Sequence, residues 1–129
     1  MKASRYNITL DLQSVQSQVC LAAVQDDTFR EIYMSFSDGG DPFVLEEGTA
    51  ASLIIERPNG DTIEGFCDVV DGGTAVLYHF TKETCAVDGL HSCQLILTIP
   101  DGDDDDNNNP QVHSPLFSMH VAKKKIKQT

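Results

Sequence analysis

The chain has 129 residues, a usual size for one domain and long enough to bury about two-thirds of the surface its unfolded form exposes. Its 40% hydrophobic and 22% charged residues are those of a globular chain and speak against a disordered or membrane-embedded one. A formal net charge of -11, with only nine Lys and Arg, argues against nucleic acid as a partner, because phosphate backbones are bound by neutralising them with cations.

The predicted elements run as follows. Residues 6–12 alternate, with Ile8, Leu10 and Leu12 on one side and Asn7, Thr9 and Asp11 on the other, the pattern of a half-buried strand. Residues 19–25 are continuously apolar up to Gln25, as in a strand covered on both faces, and Asp26 and Asp27 close them with turn chemistry. Alternation resumes over residues 29–36, where Ile32, Met34 and Phe36 share a face, until Asp38, Gly39, Gly40, Asp41 and Pro42 break it. Residues 43–45 read as a short edge strand and residues 50–57 as the next full one.

Pro58, Asn59 and Gly60 then supply the fixed and positive φ values of a hairpin turn, so residues 62–70 are expected to return antiparallel. Asp71, Gly72 and Gly73 form a second hairpin-type turn before residues 74–80, which are rich in β-branched and aromatic residues. Residues 81–87 show no alternation and read as a connector of one helical turn at most, capped by Thr81. Residues 90–99 place Cys93, Leu95, Leu97 and Ile99 on one face, and residues 116–121 form the closing strand.

About eight or nine short strands, with turns roughly every ten residues and no helices to serve as crossovers, predict antiparallel pairing in a two-sheet sandwich, with an open barrel as the rival. The domain is expected over residues 1–122, followed by a basic tail over residues 123–129. Lys123, Lys124, Lys125 and Lys127 crowd that tail; it reads as a solvated terminus or linker rather than a site for anionic lipid or RNA.

The opening MKASRYNITLDL lacks the apolar stretch of a signal peptide, and no run approaches the roughly 18 apolar residues of a membrane span. Synthesis in the cytoplasm and free thiols at Cys20, Cys67, Cys85 and Cys93 are the corresponding expectations. Cys20 and Cys93 sit where immunoglobulin domains place an inter-sheet disulfide, although the chain has no Trp for the core such domains share.

The stretch from Asp101 to Asn109 offers many hard oxygen donors, with Asp103, Asp105 and Asn107 as weak Ca²⁺ candidates. It follows a strand and lacks the Gly and Glu spacing of an EF-hand loop, so a solvated hairpin loop is the expectation, with no metal and no cofactor. The cysteines form no C-x-x-C pair, and His79, His91, His113 and His120 show no zinc-ligand spacing. No nucleophile elbow is present, and Asp26-Asp27 and Glu46-Glu47 are neighbours that point apart on a strand, so no enzyme activity is expected.

The order of segments resembles the N-terminal domain of phage baseplate upper proteins, the family typified by a lactococcal-phage baseplate component. The resemblance rests on Ile8 to Leu12, on the QDDTFR run from Gln25 to Arg30, and on the DGGDPFVL run from Asp38 to Leu45. It continues through Glu56 to Gly60, Val76 to Tyr78, Gly89, and the SPLF run from Ser114 to Phe117. It implies an all-β, antiparallel immunoglobulin-like two-sheet β-sandwich located in the virion tail or baseplate. Such a domain would assemble as a homo-oligomer with other phage tail and baseplate proteins, without catalysis and without nucleic-acid or membrane partners. The family's longer members continue into a helical stem, which this sequence does not contain. A carbohydrate-binding or adhesion module on the same architecture is the rival; it would need exposed aromatics on one face.

Overall fold

Alternation of apolar and polar side chains decides where the strands form. The computed structural model describes residues 2–100 and 109–125. In chain order the strands are β1 (Ser4–Asp11), β2 (Gln16–Val24), β3 (Arg30–Asp38), β4 (Asp41–Pro42) and β5 (Ala50–Glu56). They continue with β6 (Thr62–Val70), β7 (Ala75–His79), β8 (Gly89–Thr98), β9 (Gln111–His113) and β10 (Leu116–Ala122), and a single 3-10 turn, Asp71–Gly73, joins β6 to β7.

The strands hydrogen-bond in one continuous path, β1-β3-β7-β6-β5-β8-β10-β2, with β4 on β3 and β9 on β8. β6 serves two walls: residues 62–67 pair with β5 and residues 68–70 with β7. The inward rows of the larger wall run through Leu53 and Leu95, then through Ile63, Ile55, Cys93 and Phe117. Facing them are Leu10, Ile32, Met34, Val76 and Tyr78 of the other wall, and the two sets form one buried cluster. Each fully buried Leu, Ile or Phe contributes about 1.5–3 kcal/mol.

The all-β expectation holds, but the pairing is mixed. β1 pairs parallel with β3, and β2 pairs parallel with β10, while the other pairs are antiparallel. The reason lies in the tight turn after β1, which sends the chain straight into β2 on the opposite wall. β2 carries the chain back down, so β3 starts level with β1 and runs beside it in the same direction. The crossover between the parallel strands is therefore a strand and not a helix. Because β1 and β2 are joined by that turn, the two ends of the path lie next to each other, and the sheet is nearly closed, barrel-like, with a seam between β1 and β2.

Two local expectations change. Residues 19–25 are not covered on both faces: only Leu21 and Ala23 are buried, while Cys20, Ala22 and Val24 are exposed on an edge strand. Residues 43–45 form no strand; the Leu45 N–H instead donates to the Gly73 carbonyl at 2.8 Å, which straps this segment across the β6–β7 turn. A side chain at Gly73 would strike the Leu45 carbonyl at 2.5 Å, and its φ of +92° suits glycine alone. Residues 81–87 form hydrogen-bonded turns held by Thr84, whose buried hydroxyl lies 2.8 Å from that of Tyr78 and accepts the Thr81 N–H at 2.9 Å.

Candidate functional site

The interior offers no activated nucleophile among the described residues. All four cysteines are free thiols. Burial pushes the Cys93 thiol up to about 12, the Cys67 thiol to about 12 with help from the Asp68 charge, and the Cys85 thiol to about 11, so each is held protonated. Cys20 and Cys93 both flank β10, opposite Ser118 and Phe117, but Cys20 is exposed and Cys93 buried, which rules out the immunoglobulin pairing. No three His, Cys, Asp or Glu side chains among the described residues are grouped to hold a metal. Asp103, Asp105 and Asn107 lie outside the described residues.

His91 is the unusual interior group. Its ring is fully buried, its Nδ1–H donates to the Gly89 carbonyl at 3.1 Å, and its Nε2 has no partner. Burial holds its pKa below the ordinary imidazole value.

The seam is closed by side chains. Tyr6 of β1 donates its hydroxyl proton to the Ala22 carbonyl of β2 and accepts from Arg30 Nη1 at 2.7 Å, while its ring stacks on Phe80 at 6.2 Å. Arg30 in turn pairs with Asp27 at 2.6 Å, and Asp27 caps the Val24 N–H at 3.0 Å. A free strand edge invites pairing with another chain, and these groups block part of it.

Strand direction sorts the cationic residues to one of two ends, where Asp26, Asp27, Glu31, Asp61 and Glu83 lie among them. β1, β3, β6 and β8 run towards one end; β2, β5, β7 and β10 run away from it. Every Lys and Arg among the described residues falls at the second end or in the strand turn nearest it. Lys2 and Arg5 open β1, Arg30 opens β3, Arg57 follows β5, Lys82 follows β7, and Lys123 to Lys125 follow β10. Several are already paired there: Arg5 with Glu31 at 2.8 Å, Arg57 with Asp61 at 2.7 Å, and Lys124 with Asp26 at 2.5 Å.

The first end holds Asp11, Asp38, Asp41, Glu46, Glu47 and Asp71 and, among the described residues, no Lys or Arg. Asp11 accepts the Gln13 and Gly39 N–H groups, which holds its carboxyl below the usual range, and Asp71 accepts from the Tyr33 hydroxyl. Glu46 and Glu47 enter no ion pair among the described residues; they rim a hollow of about 420 Å³ lined by Leu45, Val69 and the Gly72–Gly73 backbone. A second hollow of about 350 Å³ lies at the opposite end, on Val24, Ala122 and the stems of Lys123 to Lys125.

The outer face of the larger wall is mostly uncharged, with Glu64 opposite Ile54 and Glu56 at the end of β5 as its carboxylates. Ser92, Gln94, Ile96 and Thr98 of β8 face outward beside Ser52 and Ile54 of β5, and Phe66 of β6, 86% exposed, stands opposite Ser52. The other exposed aromatic, Phe29, lies in the turn before β3, so the described aromatics form no platform for stacking on sugars. Among the described residues no helix is long and apolar enough to cross a membrane.

The fold thus defines a nearly closed, mixed β-domain whose distinguishing features lie on its surface. No family model and no curated protein matches the chain. Among solved structures it is similar to the N-terminal domain of phage TP901-1 ORF48, with a TM-score of 0.69 at 14% identity, over 93% of this chain and 99% of that one. At that identity the likeness establishes a shared fold.

Proposed function

We propose that the chain is a structural, non-catalytic component of a phage or prophage tail, placed at the baseplate or tail tip and assembled in several copies against other tail proteins. The observation that carries this reading is the likeness to a phage protein's N-terminal domain, which extends over almost the full length of both chains. It agrees with the ordered run of segments that resembles baseplate upper proteins. Held thiols and an exposed, charge-poor sheet face suit a protein whose work is contact rather than chemistry.

The test is proteomic and microscopic. Particles induced from a host carrying the gene are purified and analysed by mass spectrometry, with immunogold labelling of the chain. It is expected in the particles, with label at the tail tip. Its absence from purified particles overturns the reading.

A further inference from the structure

Lys and Arg gather at one end of the domain and, among the described residues, are absent from the other. We propose that copies of this chain dock end to end, the lysine-bearing hollow below β2 and β10 of one copy against the acidic hollow rimmed by Glu46 and Glu47 of the next. The inference deepens the assembly reading and rests on it; it adds which surfaces meet and in what orientation.

Three features of the molecule lead to it. Both ends carry a hollow of similar size, one with the exposed Val69 beside the buried Leu45, the other on Val24 and Ala122, so each offers apolar surface whose burial favours association. The rims are of opposite charge. Glu46 and Glu47 have no cationic partner within the described part of their own chain, while Lys123 and Lys125 enter no ion pair there either. Lastly, the two hollows cannot satisfy each other within one chain, because β10 delivers the lysines to the end opposite the one where residues 45–49 enter β5.

Lysine suits the acidic hollow for a further reason. Its four-carbon stem lies along apolar surface while the ammonium stays at the rim, so Val69 can be covered without burying a charge. The contact joins two different patches and is therefore heterologous: it builds a ring where the rotation closes and a filament where it does not. Pairing opposite ends also sets the register, because two acidic hollows repel each other.

Sedimentation equilibrium on the full chain tests this. Wild type is expected to show a weight-average mass that climbs above that of one chain as concentration is raised into the high micromolar range. Two charge-reversed variants, Glu46→Lys/Glu47→Lys and Lys123→Glu/Lys125→Glu, are each expected to remain at the mass of one chain. Lys124 is left in place because it holds Asp26. An equimolar mixture of the two variants is expected to associate again, because each then meets an end of opposite charge, and this recovery shows that both are folded. Wild type that stays at single-chain mass overturns the proposal, as does association undiminished in either variant or a mixture that fails to recover. A chain present in purified particles but monomeric in solution defeats this contact and leaves the assembly reading standing. A chain that associates as described but is absent from particles does the reverse.

Discussion

The wall formed by β5, β8 and β10 and the seam between β1 and β2 close the same interior by different means. The wall uses uninterrupted antiparallel ladders with inward rows of Leu, Ile and Phe, so backbone bonds and apolar burial reinforce each other along its length. At the seam no ladder joins the two strands, and a tyrosine hydroxyl, an arginine and an aspartate bridge the gap. The difference shows where stability resides and where the domain is adjustable. Loss of packing in the wall removes the core, whereas loss at the seam frees two strand edges without emptying it.

Breaking the wall has the largest expected effect. Phe117 is fully buried on β10, in a row with Cys93 and Ile55, and its truncation to Ala is expected to cost about 3–5 kcal/mol in guanidinium denaturation. A cost below about 1 kcal/mol would show that the two walls collapse onto each other more freely than the close packing implies.

The join between the walls comes next. Gly65 of β6 lies under Tyr78, and a Cβ there would sit 2.3 Å from the ring's Cε1. Gly65→Ala is therefore expected to cost about 1–3 kcal/mol, through displacement of Tyr78 and its bond to Thr84. In a Tyr78→Ala background the same substitution should cost much less, and equal costs in both backgrounds would remove Tyr78 as the cause.

The seam itself should respond more mildly. Tyr6→Phe keeps the ring against Phe80 but deprives the Ala22 carbonyl and Arg30 of the hydroxyl, an expected loss of about 1 kcal/mol. Amide exchange at Val19, Leu21 and Ala23, whose N–H groups face β10, should quicken more than exchange in β8. Uniform quickening would mean that the seam has no independent opening and that the contrast between the two regions is overstated.

Much of the wall is legible in the sequence, because the period-two alternation of β3, β5 and β8 names their inward residues directly. The hairpin at Pro58, Asn59 and Gly60 is equally plain: Arg57 and Asp61 exchange a backbone bond at 2.8 Å across it. The parallel pairs are not legible, since the usual parallel connection is a helix and here a strand, β2, makes the crossover. Nothing local to β2 says which strand it joins. Its apolar run suggested burial on both faces, yet small residues such as Ala22 and Cys20 sit outward on an edge at little cost. Tyr6 and His91 carried no signal, because a single polar group in an alternating strand reads as an ordinary inward or outward position. The two-ended charge was present all along in the placement of Arg30, Arg57 and Lys82 beside strand ends, but it becomes a pattern only when strand directions are known.

The smallest expected effect is also the most specific to the wall, and it concerns His91. The ring has its Nδ1–H on the Gly89 carbonyl and a second nitrogen that is buried with no hydrogen-bond partner, so taking up a proton would bury an unpaired N–H and a charge together. Arg57 and His120 add like charge, and burial is the leading cause that holds the folded pKa below the ordinary 6.5. Above that value both folded and unfolded chains carry neutral imidazole and the contribution to stability is complete. As pH falls through 6.5 the unfolded chain binds a proton that the folded one refuses, so stability declines towards the depressed folded pKa. The wild type should therefore lose denaturant stability between about pH 7.5 and about pH 5.5, and His91→Leu should lose less over that interval. The carboxylates Asp11 and Asp61, held below 3.8 by their hydrogen bonds to backbone and to Arg57 respectively, act in a lower window and do not confuse the comparison. Equal slopes in the two proteins would show that the imidazole finds a partner on protonation, by water entry or by a turn of the ring, and that the wall is less dry than its packing indicates.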